Sequence, residues 1–158
     1  MSEAIIQADL QRELLKLTSV FSAGDVVIED YRILDGSSAA APFAIIEASD
    51  DFAKDGIETE WKITWQIPFV IIVAFKDWNV SRLALQSLRQ SVIDALSNLP
   101  NYDSASKVLM WGLRKISAGT GISEIHQSYE KNPVEAQPSY LSQRIILEVV
   151  ETSFDPRS

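Results

Sequence analysis

The chain of 158 residues contains no cysteine. Disulfides, thiolate nucleophiles and cysteine-based zinc sites are therefore excluded. Histidine occurs once, at His126, and no second histidine stands at the spacing that begins a metal site. Basic residues are few: 14 Lys and Arg stand against 22 Asp and Glu, a formal net charge of −8. A surface of that sign repels phosphate backbones, which argues against capture of nucleic acid. The longest apolar run, residues 67–75, has nine residues, well short of the ~20 that a membrane-spanning helix needs. The opening residues carry Glu3 and Asp9 and lack the basic and apolar regions of a secretory signal. These features predict a protein made and used, or assembled, in the cytoplasm, with no membrane partner. What is present is ordinary for a globular domain: 46% hydrophobic and 23% charged residues, in a length that suits one domain of ~100–150 residues.

Periodicity organises the chain. Ile6, Leu10, Leu14 and Leu17 recur at threes and fours, widened by Ile5 and Leu15, and predict an amphipathic helix that stops near Gly24. Residues 26–28 and 31–34 read as a strand, or a strand broken near Glu29-Asp30, and residues 43–48 as a short strand after Pro42. The clearest β signal follows. Trp61, Ile63, Trp65, Ile67, Phe69, Ile71, Val73 and Phe75 share one parity, while Lys62, Thr64 and Gln66 hold the other until Val70 and Ile72 replace them. One face is buried at first, and both faces later. Pro68 cannot donate to a ladder, so a bulge or a free edge is expected there. The first half of this strand is expected to project as one arm of a hairpin, with the acidic stretch at 50–60 as its solvated tip.

Asp77-Trp78-Asn79 supplies a turn and cap for a helix with Leu85, Leu88, Val92, Leu96 and Leu99 on one stripe. From Ser104, helical spacing predicts a second, shorter helix with Arg114 and Lys115 in its last turn. A strand is the alternative there, because Gly112 weakens a helix by ~1 kcal/mol. Residues 122–130 and 141–151 read as a final hairpin, joined by a long loop with Pro133 and Pro138. The predicted fold is a single α+β domain over residues 1–151, a mostly antiparallel or mixed sheet with two or three helices on one face and a long projecting β-hairpin. Residues 152–158 form a flexible tail.

Catalytic patterns are weak. No G-x-S-x-G elbow accompanies His126, and residues 117–121 (SAGTG) lack the Lys-Ser/Thr of a phosphate loop. The acidic stretch lacks calcium-loop spacing. Trp61 and Trp65 have the spacing of stacking platforms, but with this net charge packing in a core or interface is the expected use. No enzymatic activity, catalytic residue, metal or cofactor is therefore expected.

The order of elements carries a resemblance. An amphipathic helix leads to short strands and a long aromatic-rich strand ending FVIIVAF. The helix VSRLALQSLRQSVIDALSNL follows directly, and the polar loop YEKNPVEAQPSY precedes a terminal strand LSQRIILEVVE. This layout resembles the tail terminator, or tail completion, proteins of long-tailed bacteriophages over residues 5–151. The resemblance implies a non-enzymatic virion subunit, assembled in the host cytoplasm into a homo-oligomeric ring of about six copies. Such a ring caps the tail tube, docks the neck or head connector, and lets DNA pass without specific binding. Residues 103–120 depart from the simplest members.

Contact roles are expected first in the acidic hairpin region, at Asp50, Asp51, Asp55, Glu58 and Glu60, and then in the late loop, at Glu130, Lys131 and Glu135. The alternatives are another neck or head-completion component, or a monomeric ligand-binding or regulatory α+β domain with Trp61 and Trp65 lining an apolar pocket.

Overall fold

The strict alternation after residue 60 becomes the centre of the sheet. A computed structural model describes residues 3–35, 42–49, 51–57, 60–97, 113–118, 121–126 and 138–152. In chain order these form α1 (Glu3–Leu15), β1 (Val26–Ile28), a 3-10 turn (Tyr31–Asp35), β2 (Phe43–Ile46), β3 (Asp51–Ile57), β4 (Glu60–Ala74), α2 (Trp78–Ser97), β5 (Leu113–Ala118), β6 (Ser123–Ile125) and β7 (Tyr140–Thr152). The sheet is mixed, in the order β1-β2-β4-β7-β5, with β3 also on β4 and β6 also on β7. Among the described strands only β1 and β2 pair in parallel. The protein is a single α+β domain, as the patterning predicts.

The 15-residue β4 and the 13-residue β7 form the spine, in continuous antiparallel register from Lys62↔Thr152 to Ala74↔Tyr140. Along its other edge β4 pairs first with β3 and then with β2. The molecule thus has a distal half, β3-β4-β7-β5, and a proximal half, β1-β2-β4-β7-β6.

Both helices cover one face. Ile6, Leu10 and Leu14 of α1 and Leu85, Leu88, Val92 and Leu96 of α2 share one core with Ile67, Phe69 and Ile71 of β4 and Ile145, Leu147 and Val149 of β7. Asp77 caps α2 by accepting the Val80 N–H at 2.9 Å. Ser81 ties the helix to the strand before it, its hydroxyl accepting the Lys76 N–H at 2.8 Å. On the opposite face Phe43, Ile45, Ile72 and Tyr140 make a smaller cluster, so the later part of β4 is buried on both sides as its composition requires.

Several expectations need correction. Helix α1 ends at Leu15, not near Gly24, which instead takes φ +91° in the turn before β1. Ile5 lies outside the apolar stripe and is exposed. The break near Glu29-Asp30 is present, with Glu29 at φ +50° after β1, but residues 31–35 beyond it form a 3-10 turn instead of more strand. The acidic stretch is no tip alone: Asp51–Ile57 is a full strand on β4. For Leu113–Ala118 the alternative holds: it is the strand β5, not the last turn of a helix, since β7 offers it a ladder and Ile116 packs against the core. Thr152 belongs to β7, not to a tail. Residues 104–112 and 153–158 lie outside the described residues.

Candidate functional site

The seam where β4 changes partner is a closely bonded polar region. Pro68 sits there, in unbroken register with Ile146 of β7 and with no bulge. Its missing N–H points to the other edge, into the gap between β2 and β3, so the expected free edge is met locally. Glu47 donates its N–H to the Pro68 carbonyl at 2.9 Å. The return bond of an antiparallel pair is impossible for proline. Gln7 of α1 replaces it, donating its side-chain amide to the Glu47 carbonyl at 2.9 Å from a buried position. The Glu3 carboxylate accepts the Ser49 N–H, and the Ser49 hydroxyl donates to the Gln66 carbonyl at 2.9 Å. The amphipathic helix is thereby latched to the seam by its polar side.

On the face away from the helices, the Glu47 carboxylate takes two bonds from Arg144, at 2.9 and 3.1 Å, and one from the Tyr31 hydroxyl at 2.7 Å. Desolvation, and next the Glu47 carboxylate that accepts its hydrogen bond, push the Tyr31 phenol from its ordinary 10.0 up to about 12. The neutral phenol is the favoured form in the folded state. Its contribution to stability is therefore present below pH 10 and lost as pH rises through about 12. An ultraviolet absorbance titration should show Tyr31 ionising late. Tyr31→Phe should shrink the late phase by one of the chain's 4 tyrosines and soften the alkaline loss of stability. A late phase of unchanged size contradicts the assignment. Nearby, Arg32 holds the Asp30 carboxyl down to about 2 through two bonds of 2.8 Å.

The distal half continues as a polar row on this same face. Asp51, Gln66, Glu148 and Lys115 stand opposite one another in register across four strands. The Gln66 amide reaches Glu148 at 3.4 Å. The helix-side row beside it holds Phe52, Trp65, Val149 and Arg114.

Of the sequence-predicted contact residues, Asp51 and Asp55 lie on β3 and Glu60 opens β4, so they share one hairpin, Asp55 near Glu60 and Asp51 at the far end of the ladder, opposite Gln66. Asp50, Glu58, Glu130, Lys131 and Glu135 lie outside the described residues. Trp65 packs against the main core. His126 follows β6, with Nε2 3.2 Å from the Glu124 carboxylate. Among the described residues no group of three potential metal ligands occurs. A groove of about 400 Å³ runs beside the first half of α2, lined by Val20, Val73, Ala84 and Leu88 together with Lys76 and several serines, and Trp65 is not among its described lining residues.

Sequence reasoning missed Gln7, Glu47, Arg144 and Tyr31. One signal was available: a proline in a central strand requires some other donor for the carbonyl it faces. No family model matches the chain, and no curated protein matches it.

Proposed function

We propose that this chain is a structural subunit whose copies close into a ring of about six, terminating the tail tube of a long-tailed bacteriophage and docking the neck or head. The single observation that carries the reading is the sheet's outline. Among the described residues the outer edges of β3 and β5 have no partner strand, and they lie on opposite sides of the same distal half. Open edges present unpaired backbone groups to another chain. Edges on opposite sides suit a head-to-tail contact, the kind that closes into rings. The element order supports the reading further, with α2 following the long central strand directly and a paired strand closing the chain. A net charge of −8 suits a channel through which DNA slides without being held.

The test is the mass of the purified chain over a range of concentration and salt, free and with tail tubes, together with electron microscopy. Annular particles of about six copies support the reading. A monomer under every condition, tail tubes included, overturns it. The groove beside α2 favours a second reading, a monomeric domain that takes a small ligand there, and the same monomer result would point to it.

A further inference from the structure

We infer that neighbouring copies join by setting β3 of one against β5 of the next, antiparallel, with Asp55 opposite Lys115. The inference rests on the self-association proposed above and adds the strands, their direction and their register.

Direction follows from topology. The order β3-β4-β7-β5 is antiparallel at every step, so β3 and β5 run in opposite directions. A sheet continued from copy to copy by rotation therefore brings β5 beside the next β3 in antiparallel sense.

Register follows from bonding and faces. The bond from Glu47 N–H to the Pro68 carbonyl shows that even-numbered residues of β4 bond toward β2 and β3. Alternation then turns 51, 53, 55 and 57 of β3 toward β4, and leaves the backbone groups of Phe52, Lys54 and Gly56 on the edge that no described strand covers. By the same alternation Leu113, Lys115 and Ser117 bond β7, and Arg114, Ile116 and Ala118 face outward. Those outward residues are also the ones on the helix side in both strands. Pairing them keeps the helices of every copy on one face.

The full-length match sets Phe52 with Ala118, Lys54 with Ile116 and Gly56 with Arg114, each pair exchanging both backbone bonds. The intervening pairs are Ala53 with Ser117, Asp55 with Lys115 and Ile57 with Leu113. Opposite charges meet, and apolar residues meet at the end of the ladder. Sliding by two residues in one sense sets Lys54 against Arg114. Sliding in the other shortens the ladder and puts Ile57 against Lys115. Full-length pairing of β3 with itself sets Lys54 on Lys54, and pairing of β5 with itself leaves Arg114 and Lys115 of both copies with no carboxylate in the seam.

The chain has no cysteine, so introduced thiols are unambiguous. Asp55 and Lys115 form a pair without backbone bonds, with Cα atoms about 4.5 Å apart, which is within disulfide reach. The assembled D55C/K115C chain should give, on oxidation, a ladder of covalent multimers on a non-reducing gel, while each single variant stays monomeric there. Charge reversal gives a second readout. D55K and K115D should each weaken assembly by roughly three- to tenfold, and the swapped pair D55K/K115D should restore it; circular dichroism of each variant confirms that it folds. Rings without a ladder from the double-cysteine chain overturn this pairing and leave the ring itself standing. Cross-linking of D55C or K115C alone also overturns it, in favour of a two-fold contact. If the unaltered chain never assembles, this inference and the ring fall together.

Discussion

Replacing Phe69 by alanine should lower the free energy of unfolding by about 3–5 kcal/mol. Phe69 is fully buried at the middle of β4, facing both helices and paired to Ile46 on one side and Ile145 on the other. Truncation removes the ring's transfer energy and also opens a cavity. Two flanking strands hold the backbone at that point, so the walls cannot collapse inward. A loss of this size is a large part of the ~5–15 kcal/mol that holds a typical domain together. Urea unfolding followed by circular dichroism measures it directly, as a lower midpoint with unchanged slope. A loss below about 1 kcal/mol would show that Phe69 does not sit in a packed interior.

Gln7→Leu should cost about 1–3 kcal/mol, although it replaces a polar residue in a helix by a good helix former. The reason is the Glu47 carbonyl. Pro68 cannot bond it, and Gln7 does. Leucine leaves that oxygen without its donor beneath a buried helix face, and an unmade bond of this kind carries the full desolvation penalty. A sharper expectation follows for the two residues together. Pro68→Ala restores an N–H aimed at the same carbonyl, so Gln7→Leu should cost distinctly less in that background. Urea midpoints of the four proteins in the cycle decide the matter. Equal costs in both backgrounds would mean that Gln7 stabilises by packing alone.

The seam and the Glu47 cluster also show how far a linear reading reaches. Alternation in residues 61–75 is legible because a strand buried on one face and then on two must carry apolar residues first at every second position and later at both. The stripes of α1 and α2 are legible for the same reason at a period of 3.6. Residues 113–118 are not, because Leu113 and Ile116 satisfy helical spacing as well as strand spacing, and only the presence of β7 alongside decides between them. The acidic stretch at 51–57 reads as a tip because Asp and Gly are poor strand formers. Pairing with β4 overrides that local preference.

The candidate interface is half legible. Asp51, Asp55 and Glu60 can be placed on one hairpin from their position before the long strand. Their relation to Lys115 and Arg114 cannot, because it depends on two intervening strands and on which edge each outer strand occupies. The same holds for Glu47 and Arg144, which lie 97 positions apart in the chain and meet at 2.9 Å.

By itself the sequence determined the class of fold, the central strand, both helices and the exclusion of thiol chemistry, since each of these depends on residue type and on periods of a few residues. The tertiary structure alone decided that β5 is a strand, that Gln7 answers for Pro68, and that an acidic and a basic strand lie on opposite sides of one sheet. These are consequences of strand order and register, and contacts between distant parts of a chain leave no local period to read.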